Sequence, residues 1–138
     1  MNHLLKNYNM KEEKVTDSKL IDTTIILRYL FDGQYLNILE GKDIVFISVL
    51  SLFEAKKKML DKKIPEEIIE EKMDFIKNKS IYLPVSAQIA EKAAKISSNN
   101  KIPAIDSIIY LTAIENNLTL FTTDNDFRGM PNAIVFNK

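Results

Sequence analysis

The chain has 138 residues, of which 46% are hydrophobic and 28% charged, a composition typical of one globular domain that can bury its own core. Basic and acidic residues number 19 each, so the formal net charge is zero and the composition alone does not indicate a nucleic-acid partner. The absence of cysteine excludes disulfides and thiolate catalysis, and a single histidine, His3, excludes Ser-His-Asp and histidine-ligated zinc chemistry.

The first segment, residues 1–18, is rich in lysine, asparagine and glutamate and has no sustained periodicity. This composition predicts a loosely attached, flexible N-terminal extension, followed by a single domain over residues 19–138. The segment lacks the apolar core and cleavage pattern of a signal peptide, and no apolar run in the chain is long enough to span a bilayer. We therefore expect a cytoplasmic protein that does not contact a membrane.

The first half of the domain alternates short strands with helices. Residues 20–21 predict a strand that leads to Asp22, and the apolar spacing of TTIILRYLFD predicts a helix that Gly33 ends. A further short helix is predicted over 34–40. The run 44–47 is continuously apolar, which is typical of a strand buried on both faces, and Ser48 is placed to cap a helix over 49–61.

The second half continues this alternation. The pattern predicts helices over 64–79, from Ser86 to about residue 100, and from Pro103 to about residue 117. Strands are predicted at 81–85, 118–121 and 133–136, with a loop at 122–131. The whole chain therefore predicts an α/β fold with a central parallel sheet of about five strands between helices, in which ligands bind beyond the carboxyl ends of the strands.

Four carboxylates occur close to that predicted edge. Asp22 follows the first strand, Glu54 lies in the second turn of the helix after the second strand, Asp106 lies in the first turn of the helix that Pro103 opens, and Asp124 follows the 118–121 strand. Each also has an ordinary structural explanation. Asp22 can cap a helix, and Asp106 suits the positive end of a helix dipole. Asp124 can form a turn, and Glu54 can pair with a lysine three or four residues on.

As a set, the four acids favour a metal site. If the strand ends converge, like charges in a small volume raise one another's pKa unless a cation neutralises them. With no cysteine and one histidine, oxygen atoms must hold that cation, which indicates Mg²⁺ or Mn²⁺ and a site suited to phosphate chemistry.

Other polar residues flank these acids. Asp126, two residues after Asp124, is a candidate auxiliary ligand. The neighbouring threonines can orient carboxylates, touch a phosphate or simply cap helices and turns; they are Thr23, Thr24, Thr122 and Thr123. Three basic residues near the acids are candidates for contacts with a nucleic-acid backbone: Arg28, Lys57 and Arg128.

Four segments, KLIDTTIILRYL, SVLSLFEAKKK, IPAIDSIIYLTAIENN and LFTTDNDF, resemble in order and spacing the four acidic motifs of PIN domains, most of all those of VapC-type toxins. The resemblance covers about residues 19–136. It implies a five-stranded PIN fold in which Asp22, Glu54, Asp106 and Asp124 are catalytic and bind Mg²⁺ or Mn²⁺. It also implies that Asp126 assists them and that Thr23 and Thr122 are the family's hydroxyl residues.

The function implied by this resemblance is endoribonuclease activity that hydrolyses RNA phosphodiesters and leaves a 5′-phosphate. The resemblance further implies a small antitoxin protein as partner, with an arginine that reaches the carboxylates, and it is compatible with a homodimer. The segment 1–18 departs from the toxin pattern, in which the first strand begins close to the initiator. An RNA-processing nuclease therefore stays open as an alternative to a toxin.

The residues also bear on three alternative functions. An aspartate-based phosphatase needs a DxD near the first strand, whereas Asp22 is followed by two threonines. A phospho-accepting receiver needs paired acids there and a lysine after its last strand, whereas Lys138 is terminal. A catalytically silent PIN-fold binding module would lack some of the acids, and all four are present.

Overall fold

The structure is a computed structural model and describes residues 18–137. The predicted extension at 1–18, which includes His3, lies outside the described residues except for Ser18. The strands are β1 (Lys19–Ile21), β2 (Val45–Ser48), β3 (Ser80–Leu83), β4 (Thr119–Thr122) and β5 (Ala133–Val135). The helices are α1 (Thr23–Asp32), α2 (Leu36–Leu39), α3 (Val49–Asp61), α4 (Glu66–Lys79), α5 (Ala87–Asn100) and α6 (Ala104–Glu115). A 3-10 turn, Asn125–Phe127, lies between β4 and β5.

The five strands form one parallel sheet in the order β3-β2-β1-β4-β5, which confirms the predicted α/β class. The strand order reverses at β1, since the chain builds one half of the sheet through β2 and β3 and then returns to add β4 and β5 on the other side. Leu20 of β1 is in register with Phe46 of β2 and with Leu120 of β4. The residues that follow β1 and β4 therefore emerge side by side at the switch point, where α/β folds bind ligands.

Helices cover both faces of the sheet and largely bury its inner strands, whereas Ile81 and Tyr82 of β3 and Ile134 of β5 are exposed. On one face, Leu20 and Leu120 pack with α5 and α6 in a cluster that includes Tyr110. On the other face, Ile21 and Ile47 pack against α1 and α4. Successive residues of a strand point to opposite faces, so adjacent residues enter different clusters.

Several predicted boundaries shift, each for a local reason. Ile44, predicted to lie in a buried strand, is 58% exposed, because pairing with β3 begins only at Val45. The helix predicted over 34–40 is a single turn, since Tyr35 before it has a left-handed backbone. β3 ends at Leu83, before Pro84, which lacks the N–H that a strand ladder needs.

Other local predictions are confirmed. Gly33 ends α1 with a φ of 69°, a conformation that glycine adopts without steric cost. The Ser48 hydroxyl accepts a hydrogen bond from the Leu50 N–H and so caps α3. None of the helices within residues 18–137 is both long and apolar enough to cross a membrane.

Helix α6 offers a direct test of this packing. Ile109 is fully buried in the α5–α6 cluster, whereas Ile105 on the same helix is 38% exposed. We expect Ile109→Ala to lower the free energy of unfolding by about 2–5 kcal/mol, because it leaves a cavity. The matched control Ile105→Ala should cost less than about 1 kcal/mol. Urea denaturation followed by circular dichroism measures both, and equal losses would contradict the assigned packing.

Candidate active site

The predicted acids meet at the edge where the parallel strands end. Asp22 follows β1 and caps α1, and Asp124 follows β4 and caps the 3-10 turn. Glu54 lies on α3, which leaves the end of β2, and Asp106 lies in the first turn of α6. Three of the four, Asp22, Glu54 and Asp106, line the same open cleft, whose volume is about 390 Å³.

Asp22 is the most deeply buried of these acids, with only 3% of its surface exposed. Its Oδ1 accepts a hydrogen bond from the Thr23 N–H at 2.8 Å. Its Oδ2 accepts from the hydroxyls of Thr122 at 2.6 Å and Thr24 at 3.2 Å. Burial raises the pKa of Asp22, these hydrogen bonds lower it in part, and the charge of Glu54 raises it further. The carboxylate is therefore fixed in direction but incompletely stabilised in its charged form.

Thr23 joins Asp22 to Glu54. Besides its backbone contact with Asp22, its hydroxyl donates to Glu54 Oε1 at 2.6 Å and lies 2.8 Å from the hydroxyl of Ser51. Ser51 is fully buried on α3, and the sequence analysis did not single it out. Its position three residues before Glu54, on the same helix face, is the signal that would have found it.

Glu54 does not form the ion pair that its sequence neighbours offered. Lys57 instead binds Asp61, four residues further along α3, at 2.8 Å. Lys58 forms no ion pair with Glu54 among the residues that the structure describes. The ion pair with a nearby lysine on the helix surface therefore does not explain the position of Glu54.

A second group of acids, Asp106, Asp124 and Asp126, offers one carboxylate oxygen each within 4.8 Å of one another. The Asp106 and Asp124 side chains share a hydrogen bond, and the Asp126 N–H donates to Asp124 Oδ1 at 2.9 Å. Burial, together with the charges of Asp22, Asp124 and Glu54, raises the pKa of Asp106 to about 7. The pKa of Asp106 is thus raised by acids of both groups, although Asp22 and Glu54 do not belong to the triplet of Asp106, Asp124 and Asp126.

Two threonines connect the groups. Thr122 donates to Asp22 and accepts a hydrogen bond from the Asp124 N–H at 3.0 Å. Thr24 donates to Asp22 and accepts from the Thr123 N–H at 3.1 Å. The structure thus engages all four threonines that flank the acids in the sequence.

The charges of these acids are not balanced by basic side chains. No ion pair found within residues 18–137 involves Asp22, Glu54, Asp106, Asp124 or Asp126. Carboxylate and hydroxyl oxygens are the donors that hard divalent cations prefer. The donor set therefore fits Mg²⁺ or Mn²⁺.

The predicted basic residues are placed unevenly around the site. Lys57 lines the acidic cleft, and Arg28 lines a neighbouring cleft of about 430 Å³. Arg128 is exposed and lines neither cleft, and its guanidinium donates to Asn125 Oδ1 in the turn beside it. Lys58 and Lys62, which the sequence analysis did not propose as backbone contacts, also line these clefts.

Comparisons with known proteins agree with this architecture. The family model described as PIN domain matches residues 19–132. A chain of a toxin–antitoxin complex from Klebsiella pneumoniae is 25% identical with a TM-score of 0.73, over 88% of this chain and 100% of that one. A chain of VapBC2 from Rickettsia felis, bound to a DNA fragment from the promoter, is 22% identical with a TM-score of 0.70. It covers 86% of this chain and 97% of its own length, and at that identity the likeness shows the fold alone. No curated protein matches the sequence significantly.

The raised pKa of Asp106 predicts a pH dependence of stability in metal-free protein. Because the pKa rises from 3.8 to about 7 on folding, the folded state binds a proton that the unfolded state releases. The contribution of this group to stability is therefore fully present below about pH 4 and is lost as the pH rises through 7.

We expect the stability of the wild type relative to Asp106→Asn to fall between pH 5 and pH 8. Urea denaturation in EDTA measures it at each pH. The exposed control Asp74→Asn, on α4, should keep the wild-type pH profile. If Asp106→Asn and the wild type lose stability in parallel, the assignment of the shift to Asp106 is wrong.

Proposed function

The chain belongs to the PIN-domain family, and from this membership we propose that it is a divalent-metal-dependent endoribonuclease that acts as a VapC-like toxin. The observation that carries the proposal is the group of acids that converges at the switch point and forms no ion pair with a basic side chain of residues 18–137. A silent scaffold gains nothing from such an arrangement, because unpaired buried carboxylates destabilise a fold.

The reaction that we propose is hydrolysis of an RNA phosphodiester. A water oxygen forms a bond to phosphorus, the bond from phosphorus to the 3′ oxygen breaks, and a proton reaches that oxygen. The products are a 5′-phosphate and a 3′-hydroxyl. A divalent cation, when bound, supplies positive charge for the phosphate and makes water more acidic.

The chain's own residues supply position and negative charge. Asp22, held by three hydrogen bonds, presents its carboxylate at a fixed angle at the base of the cleft. Thr23 and Thr122 hold Glu54 and the Asp124 backbone in place relative to it. A preorganised site of this kind needs little rearrangement during the reaction. This low reorganisation cost is a main source of rate enhancement in enzymes.

Asp106 adds a group that titrates near neutral pH. With its pKa at about 7 in the metal-free protein, it can hold or release a proton close to physiological conditions. To act as a cation ligand, the Asp106 carboxylate would have to be ionised and would give up that proton. We assign Asp106, Asp124 and Asp126 to one ligand group, because their carboxylate oxygens lie within 4.8 Å of one another. We assign Asp22 and Glu54 to the other side of the site.

Two further expectations follow for partners. The complex from Klebsiella pneumoniae is described as toxin–antitoxin, which favours a toxin over an RNA-processing nuclease for this chain. We propose that a small antitoxin protein inserts a segment at the acidic cleft, with an arginine that pairs with the free carboxylates. A homodimer remains an expectation from the family resemblance.

Substitution of single acids tests the nuclease proposal. We expect Asp106→Asn and Asp22→Asn each to reduce Mn²⁺-dependent cleavage of total RNA by more than about a hundredfold, because each removes a ligand charge. The fold should persist, since asparagine also caps helices and the threonine hydroxyls can accept as well as donate.

Cleavage is followed on gels, with the cut ends mapped, and folding by circular dichroism. Asp74→Asn, on the exposed surface of α4, is the matched control and should retain full activity. Activity of Asp106→Asn at the wild-type level would refute the assignment of this acid.

Metal binding is tested without reference to activity. A ligand that binds only the folded state raises the melting temperature in proportion to the logarithm of its concentration. We expect Mn²⁺ and Mg²⁺ to raise the melting temperature of the wild type, EDTA to reverse the rise, and Asp106→Asn to show a much smaller shift. No shift with the wild type at millimolar Mn²⁺ would favour the catalytically silent binding module.

A further inference from the structure

The acidic cleft continues into a second, basic cleft along the same pair of helices. The two clefts share Thr24 and Leu27 of α1 and Lys58 of α3, so they form one groove between these helices. The acids line one end of this groove. The far end is lined by Arg28 and Lys62, with Asp32 as its only acid among the lining residues.

Two of the four basic side chains in this groove, Lys58 and Lys62, form no ion pair with a carboxylate in the described part of the chain. Lys58 is exposed and takes part in none of the ion pairs found in the described part of the chain. Lys62 lies over the ring of Phe31, with its Nζ 5.4 Å from the ring centroid. Arg28 has only a long contact with Asp32, at 3.9 Å. Lys57, by contrast, is occupied by Asp61.

The spacing of three side chains along α3 and its C-cap is regular. Glu54 and Lys58 lie on α3 and Lys62 caps its end, at intervals of four residues, which corresponds to about 6 Å along a helix axis for each step. Successive phosphates of a single nucleic-acid strand are separated by a similar distance. A strand whose reacting phosphate lies at Glu54 can therefore place its next phosphate at Lys58 and the following one at Lys62.

We propose that this groove, defined by Arg28, Lys58 and Lys62, binds two successive phosphates of the RNA strand on one side of the bond that is cut. The assignment rests on the proposed nuclease function and adds to it the direction in which the bound RNA strand extends from the acids. An acidic protein segment would also suit these lysines. However, the phosphates next to the reacting one lie only one nucleotide away from it and therefore close to the acids. This basic surface directly adjoins the acids, which favours RNA as the occupant.

The test compares two double variants that remove the same charge. Lys58→Ala with Lys62→Ala removes the groove charge. The matched control, Lys56→Ala with Lys95→Ala, removes one lysine from the α4-facing side of α3 and one from α5 across the sheet. Loss of the exposed Lys56–Glu70 pair should affect stability little.

Binding of a fluorescein-labelled, 12-nucleotide single-stranded RNA is measured by anisotropy in EDTA, at several salt concentrations. We expect the groove variant to bind roughly five- to tenfold more weakly than the control variant. Its slope of log affinity against log salt should be smaller in magnitude by about 1.4, at about 0.7 for each lost phosphate contact.

A separate arm, cleavage of total RNA by the wild type with Mn²⁺, distinguishes the two proposals. Cleavage by the wild type, together with equal RNA affinities and salt slopes for the two double variants, overturns the groove assignment and leaves the nuclease proposal standing. If the wild type does not cleave RNA, the nuclease proposal fails and the groove assignment falls with it.

Discussion

The arrangement of this molecule depends on holding several carboxylates together against their mutual repulsion. The register of the two central strands makes this possible, since Ile21 of β1 lies beside Phe121 of β4 and the next residues, Asp22 and Thr122, emerge as neighbours. The 2.6 Å hydrogen bond between those two side chains joins residues that are a hundred positions apart. Thr122 then positions the backbone of Asp124, so this one strand pairing fixes Asp22 and Asp124 relative to each other.

The repulsion has two physical solutions, and the structure is suited to both. Without a cation, Asp106 holds a proton below about pH 7, because burial and the surrounding charges raise its pKa to about 7. If a cation bound there, the same oxygens would be its ligands and Asp106 would be ionised. If a cation binds there, its affinity depends on pH through this one residue.

Features that depend on local signals in the sequence are predicted correctly. Helix starts at Ser48 and Ser86 and the helix end at Gly33 depend on hydrogen bonds within a few residues, and the structure confirms them. Strand ends that depend on a partner strand are predicted less accurately, as at Ile44. Side-chain pairing was also hard to foresee. Lys57 and Arg128 are close to acids along the chain, yet Lys57 pairs with Asp61 and Arg128 contacts Asn125.

The order of residues was sufficient to establish the α/β class, the family resemblance and the positions of the four acids near strand or helix ends. These features are local, because turns, caps and hydrophobic periodicity involve neighbours along the chain. Three-dimensional packing was needed to show that Asp126 joins Asp106 and Asp124, that Thr23 and Ser51 support Glu54, and that Lys58 and Lys62 line the groove. Those contacts join residues from different elements, and only the register of the sheet and the orientation of the helices bring them within reach of each other.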